Sequence, residues 1–185
     1  MKKTITKAVL ILSLFIVTNK TFSYNFGGGG GTFVQQGNKK VGTNAIGSQV
    51  FQGFSVAISA DGNTAITGGP EDNNGVGAVW IYTRTGSTWT QQTQIAAPND
   101  AIGTAEFGFS VGISANGNTI IVGAMQDDSY TGAAWIYTRS GNNWTEVQKL
   151  IGTGASGNAR QGYSAAISGD GLTAIVGGNA DNSNI

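Results

Sequence analysis

One stretch of sequence occurs three times in this chain, and the recurrence limits the folds that the chain can adopt. Residues 53–59 read GFSVAIS, residues 108–114 read GFSVGIS and residues 162–168 read GYSAAIS, at spacings of 55 and 54 residues. A period of this size is typical of proteins in which one supersecondary unit cannot bury its apolar faces alone and stacks on copies of itself. The repeat therefore predicts a row of similar units.

Each repeat contains four segments that alternate like β-strands. In the first complete repeat we predict strands at 54–59, 64–67, 78–83 and 89–95, with a tight Asp61-Gly62 turn between the first two. From residue 32 onward, no stretch of ten residues carries apolar side chains at helical spacing. The second repeat copies the pattern, so the sequence predicts an all-β fold of four-stranded antiparallel meanders, the make-up of β-propeller blades.

The strand faces predict which side chains are buried. Phe54, Val56 and Ile58 share one face of the first strand, opposite a face of serine and alanine that is small enough to admit a neighbour. Stacked blades bury both faces of each sheet. We therefore expect these apolar residues in the core, together with the tryptophan and tyrosine of the segments 80–82 and 135–137.

The chain divides into a leader, a tether and an incomplete row of blades. A lysine-rich start, a short apolar run over 8–17 and the small residue Ser23 predict a secretory signal peptide. That run is too short to span a membrane, so we expect no membrane insertion once the signal is removed. The predicted parts are the signal peptide (1–23), a glycine-rich tether (24–31), a partial blade (32–46), two complete blades (47–101 and 102–156) and a partial blade (157–185).

About two and a half to three blades are fewer than the four that a closed propeller needs, so we expect an incomplete or open propeller. Three explanations stay open at this point. The chain is a piece of a longer protein, or it closes a ring by self-association through uncovered blade faces, or it forms an open stack that is stable by itself.

Composition excludes several classes of function. The chain contains no cysteine and no histidine, which rules out disulfide bonds, thiolate or histidine metal sites and Ser-His-Asp catalysis. Four of the ten basic residues lie in the predicted signal peptide, which leaves six basic against ten acidic side chains. This excess of acid disfavours nucleic acid and anionic membranes as partners. We expect a secreted, periplasmic or cell-surface protein.

Acidic residues recur in the loop between the second and third strands of each repeat: Glu71, Asp72, Asp127, Asp128 and Asp181. Two carboxyl groups with separated pKa values are able to hydrolyse a glycan as acid and base or nucleophile. A catalytic pair is a single asymmetric arrangement, however, whereas these loops recur on every blade. Recurrence favours either solvated turns or a repeated ligand-binding loop, and we expect no catalytic residues.

Three segments resemble the FG-GAP repeat, the blade unit of integrin alpha-chain propellers and of many bacterial secreted proteins. They are residues 107–110 (FGFS), 59–66 (SADGNTAI) and 68–70 (GGP), and the similarity is greatest to the bacterial variant. The resemblance implies a multi-bladed propeller used for extracellular binding or adhesion. It also implies a calcium loop at the turn, but Ser59 and Asp61 supply too few oxygens for the six to eight ligands of calcium. We expect no cofactor, with calcium possible on an incomplete ligand set.

These observations predict an exported, non-enzymatic binding or adhesion module that is part of a larger surface or secreted protein and binds an extracellular protein or glycan. One alternative is a lectin that closes a ring by self-association and stacks sugar rings on its aromatic side chains, namely Trp80, Tyr82, Trp135 and Tyr137. The less favoured alternative is a glycan hydrolase that uses the acidic loops.

Overall fold

The computed structural model describes residues 7–9 and 33–181. The predicted glycine-rich tether lies outside the described residues, and so does the predicted signal peptide except for residues 7–9. The first two strands, β1 (Lys7–Val9) and β2 (Phe33–Gln35), form a short parallel pair.

Two four-stranded antiparallel sheets form the body of the molecule, and the first is blade 1. It contains β3 (Ser55–Ile58), β4 (Thr64–Gly69), β5 (Ala78–Thr85) and β6 (Thr88–Ala96), which pair in sequence order. A single helical turn, α1 (Asp72–Gly75), lies between β4 and β5. A two-residue turn joins β5 to β6, and Gly86 adopts the positive φ of +60° that this turn requires.

Blade 2 repeats this arrangement, and two strands of a third unit follow. Its elements are β7 (Ser110–Ile113), β8 (Thr119–Ala124), the helical turn α2 (Asp127–Tyr130), β9 (Ala133–Ser140) and β10 (Asn143–Leu150). The partial blade contains β11 (Ser164–Ile167) and β12 (Ala174–Gly177). The predicted all-β fold of incomplete propeller blades is confirmed, and the two helical turns are additions that the sequence did not reveal.

The first strands of the three units lie side by side, because β7 contacts both β3 and β11. Ser55 Oγ donates a hydrogen bond of 2.7 Å to the carbonyl oxygen of Gly108, and Ser110 Oγ donates one of 2.8 Å to that of Gly162. The glycines opposite these serines, Gly68 and Gly123, have no room for a Cβ, which would overlap the same carbonyl oxygens. The recurring serine and glycine positions therefore serve as the contact between successive blades.

The main core lies between blade 1 and blade 2. Ile66, Val79 and Ile81 of blade 1 pack there against side chains of blade 2 and of the segment that leads into it, among them Phe107, Ile120, Val122, Trp135 and Tyr137. The ring of Phe107 meets the ring of Trp135 edge to face at a centroid distance of 5.6 Å. A second cluster in blade 1 contains Trp80, Tyr82 and Trp89. Trp80 and Trp135 are fully buried, as predicted.

The predicted burial of Phe54, Val56 and Ile58 is wrong, because their exposed fractions are 53, 58 and 51%. The corresponding apolar residues on β7, Val111 and Ile113, pack against the core that blade 1 supplies. The same face of β3 points away from blade 2, and no further blade covers it within the described part of the chain. The alternation assigned the faces, and the missing neighbour explains the exposure.

Candidate functional site

Each acidic loop contains one aspartate that ties down the segment leading into its own blade. Asp72 Oδ1 accepts a hydrogen bond of 2.7 Å from the backbone N–H of Ile46. Asp127 and Asp181 accept bonds of the same length, from the N–H groups of residues 102 and 156. The repetition of this contact in all three units identifies these aspartates as residues that position the loops.

The second carboxylate oxygen has a different neighbour in each blade. Asp127 Oδ2 lies 2.8 Å from Lys149 Nζ, which also donates to the carbonyl oxygen of Asp100 at 2.7 Å. Beside Asp72 Oδ2 the corresponding position is held by neutral Gln94, at 3.5 Å. Burial raises the pKa of Asp72, and the N–H of Ile46 opposes that rise. Asp72 and Asp127 are 2 and 0% exposed, so both are engaged inside the scaffold.

The residues at the tips of these loops face solvent in a constrained backbone conformation. Asn73 and Asn74 in α1 have φ values of 51° and 58°, and Asp128 and Ser129 in α2 have 48° and 56°. Two consecutive residues other than glycine in the left-handed region are unusual and persist where surrounding contacts hold them. All four side chains are exposed. The loops therefore present polar tips whose backbone is held from below by the buried aspartates.

A polar cleft lies beside α1, between this loop and the segment that enters blade 1. We call it the loop cleft, and its lining residues are Gly47, Ser48, Gln49, Phe51, Glu71 and Asn74. Phe51 is 55% exposed and has a φ of +52°. Of the five predicted site residues only Glu71 lines this cleft. The other lining residues were not predicted, because they come together only when the entering segment folds against α1.

The corresponding place in blade 2 is occupied by a side chain of the protein itself. Glu106 stands where Phe51 stands in blade 1, shares its left-handed backbone with a φ of 57°, and accepts a hydrogen bond from Gln126. The side chain is 8% exposed. Burial raises the pKa of Glu106, the charge of Glu71 raises it further, and Arg160 lowers it. Blade 1 is thus distinguished by an exposed aromatic ring at this position.

The turns between the first and second strands hold their own polar side chains. Asp61 Oδ1 accepts hydrogen bonds from Ser59 Oγ at 2.6 Å and from the N–H of Asn63 at 2.9 Å, and these bonds lower the pKa of Asp61. Asn116 accepts the equivalent bonds in blade 2 through its amide oxygen. The turn therefore needs a hydrogen-bond acceptor and no charge. Within residues 7–9 and 33–181, no three acidic side chains gather in a way that would hold a metal ion.

The aromatic residues considered for sugar stacking are core residues. Trp80, Tyr82, Trp135 and Tyr137 are at most 4% exposed. Trp80 Nε1 donates to the carbonyl oxygen of Thr43 and Trp135 Nε1 donates to Asp100 Oδ1, both at 2.9 Å. Burial raises the pKa of Tyr82 to about 12 and raises that of Tyr137 as well. The expected core burial of these four side chains is confirmed. The alternative in which they stack on sugar rings is wrong, because blade packing leaves their faces no access to a ligand.

The described residues include no helix that has both the length and the apolar character for crossing a membrane. A comparison with curated proteins finds no match for the chain. Among solved structures, the chain is similar to Kuenenia stuttgartiensis hydrazine synthase, with 16% identity and a TM-score of 0.46 over 75% of this chain and 32% of that chain.

Two further solved structures are similar at 10% identity. One is Saccharomyces cerevisiae Sqt1, with a TM-score of 0.39 over 58% of this chain and 25% of that chain. The other is the complex of KlAtg21 with the coiled coil of AgAtg16, with a TM-score of 0.47 over 68% of this chain and 37% of that chain. The matched region thus spans between 25 and 37% of the length of these three chains.

A family model matches the centre of the chain. The model is that of the FG-GAP repeat, and the matched residues are 89–137, from β6 into β9. The matched residues include Gly108, whose carbonyl oxygen accepts the hydrogen bond from Ser55 of blade 1. Residues 89–137 therefore match the FG-GAP repeat, and they form parts of two propeller-type blades.

Proposed function

We propose that the chain is an exported, non-enzymatic binding or adhesion module that meets an extracellular ligand with the tips of its acidic loops and with the loop cleft. The observation that carries the proposal is that, in the loops of blades 1 and 2, different side chains hold the loop in place and face the solvent. One buried aspartate holds the loop against the scaffold, and the neighbouring polar side chains are exposed on a constrained backbone. Rigid loops on a stable scaffold bind with a small loss of conformational entropy.

The chemistry of the loop cleft suits a glycan. The Phe51 ring offers an exposed apolar face, on which the C–H face of a sugar is able to stack. The Glu71 carboxylate and the Asn74 amide offer acceptors and donors for hydroxyl groups. A few convergent polar groups beside an aromatic surface are typical of small-molecule sites.

The contacts of the acidic residues support a binding role over hydrolysis. Asp72 and Asp127 belong to different blades, and each is bonded to the segment that enters its own blade. Neither carboxylate lines the loop cleft. A glycosidase needs two carboxyl groups on opposite sides of one scissile bond. Glu106 lies close enough for the charge of Glu71 to raise its pKa, but its side chain is buried and is not among the residues that line the cleft.

Binding to a glycan array tests the proposed site. We expect the wild-type chain to bind at least one class of glycan, and Phe51→Ala and Glu71→Gln each to weaken binding at least about tenfold, which corresponds to about 1.4 kcal/mol. Thr88→Ala, at the exposed first residue of β6, is the matched control and should bind like wild type. Binding that survives both cleft substitutions would place the ligand elsewhere, and no binding to any glycan would favour a protein ligand.

Export is tested separately. The full chain expressed with its first 23 residues should appear outside the cytoplasm as a shorter product whose new N-terminus lies near residue 24. Mass spectrometry of the secreted or periplasmic fraction measures that terminus. An uncleaved chain that stays in the cytoplasm would contradict the export part of the proposal and leave the binding site to be judged by the array.

A further inference from the structure

The two ends of the described stack expose faces that a neighbouring unit covers elsewhere in it. Ile66 on β4 and Ile121 on β8 hold the same place in their repeats, and the following unit buries both completely. Ile175 on β12 holds that place in the partial blade and is 71% exposed. At the other end, Val56 and Ile58 expose the face that Val111 and Ile113 of the next unit turn toward blade 1. We call the exposed β3 face the head and the exposed β11–β12 face the tail.

Head and tail carry the two halves of the contact that joins successive blades. The tail carries Ser164, which corresponds to the donor serines Ser55 and Ser110 and whose hydroxyl has no acceptor within the described residues. The head carries the carbonyl group of Gly53, which corresponds to the acceptors Gly108 and Gly162. The contact formed twice within the chain is therefore available a third time between the tail of one copy and the head of another.

A row of aromatic rings lies at the start of the first strands of the three units, β3, β7 and β11, and it ends on these two faces. The rings of Phe54 and Phe109 have centroids 4.8 Å apart, and those of Phe109 and Tyr163 are 5.2 Å apart. Phe54 and Tyr163, at the two ends, are 53 and 42% exposed. A Tyr163 ring placed against the Phe54 ring of a second copy would continue the row at the same spacing.

Head and tail are also complementary in the strand positions of a blade that each of them supplies. The segment after β2 already covers the outer strands of blade 1, because Gln36 Oε1 accepts a bond from Trp89 Nε1 as Gln92 Oε1 accepts one from Trp144 Nε1. Gln36 thus takes the place that the fourth strand of a preceding blade would hold. The first strand of blade 1, β3, stays uncovered. The tail, within the described residues, supplies the first and second strands. Three of the four strand positions of one blade would be filled by joining tail and head.

We propose that a second copy of this chain docks head to tail, with β11 and β12 of one copy on the β3 face of the next. The contact joins two different surfaces, so it generates rings or open filaments and cannot close as a symmetric face-to-face dimer. The inference is independent of any ligand at the loop cleft.

Two charged variants test the inference in the full chain. Val56→Lys places a charge on the head and Ile175→Lys places one on the tail, at positions that are 58 and 71% exposed in the single copy. Sedimentation velocity over a range of concentrations should show association of the wild-type chain, and each variant should weaken it at least about tenfold. Leu172→Lys is the matched control, because its counterparts Asn63 and Asn118 stay exposed in the stacked blades, and it should associate like wild type.

Mixing the two variants distinguishes the proposed contact from all others. The Val56→Lys copy keeps an intact tail and the Ile175→Lys copy keeps an intact head, so an equal mixture should form pairs that grow no further. A wild-type chain that stays single at every concentration overturns the inference. Association that persists in both variants, or a mixture that forms no pairs, overturns it as well, since the contact would then lie on another surface such as the apolar run over 8–17.

Discussion

At the residue scale, the equivalent aspartates of blades 1 and 2 have partners of different charge. Asp72 faces neutral Gln94, whereas Asp127 faces Lys149, whose side chain is 15% exposed. We expect Asp72→Asn to change the free energy of unfolding by less than about 1 kcal/mol, because the amide oxygen still accepts the bond from Ile46. Asp127→Asn should cost about 3 kcal/mol, because it leaves a largely buried ammonium group without its counter-charge. Urea denaturation at pH 7 measures both values, and equal effects would contradict the difference in partners.

Asp72 also sets a dependence of stability on pH. Burial raises its pKa in the folded state above the unfolded value of 3.8, so the folded state binds a proton more readily than the unfolded chain. The contribution of this group to stability therefore falls as the pH rises from the unfolded pKa through the folded one. Asp72→Asn should remove that fall, so the difference in stability between variant and wild type should shift in favour of the variant as the pH rises across this window. A constant difference would show that burial does not disfavour the carboxylate.

Trp135 tests the assignment of the aromatic residues to the core. It is fully buried between blades, packs edge to face on Phe107 and donates a hydrogen bond to Asp100. We expect Trp135→Ala to lower the free energy of unfolding by about 3 to 5 kcal/mol. Trp144→Ala, at a half-buried tryptophan of the same blade, is the control and should cost less. A loss under about 1 kcal/mol for Trp135→Ala would place that indole outside the core.

At the element scale, the glycine that pairs with the first serine of each unit's first strand decides how closely two blades approach. A Cβ at position 123 would overlap the carbonyl oxygen of Gly162 in the next unit, whereas a Cβ at position 177 meets only the hydroxyl of Ser164 in its own hairpin. Gly123→Ala should therefore destabilise the fold by about 1 to 3 kcal/mol, and Gly177→Ala should be tolerated. Thermal denaturation of the two variants measures the difference, and similar melting temperatures would mean that position 123 is not an interblade contact.

The strands themselves followed from the sequence, because alternation and turn residues are local signals. The predicted strand at 78–83 is β5, and the predicted strand at 89–95 lies inside β6. Val56 is exposed because no further blade covers it within the described residues. The alternation of side chains does not report this, whereas the predicted number of blades indicated uncovered faces. The loop cleft was not predictable for a related reason: Phe51 and Asn74 are brought together by the bond between Ile46 and Asp72, which joins residues 26 positions apart.

At the scale of the whole molecule, stability in a row of repeats is the sum of each unit and its contacts with neighbours. Blade 2 has a neighbour on both sides, whereas the partial blade has one described neighbour and exposes Ala174 and Ile175 of its second strand. Amide hydrogen exchange at low protein concentration should therefore be slowest in β8 and β9 and fastest in β11 and β12. Mass spectrometry of peptides from each strand measures this gradient. Raising the concentration should selectively slow exchange in β3, β11 and β12 if copies dock head to tail, because those strands carry the uncovered faces. Equal protection in all three units at low concentration would contradict the additive stack and indicate that the chain unfolds as one cooperative body.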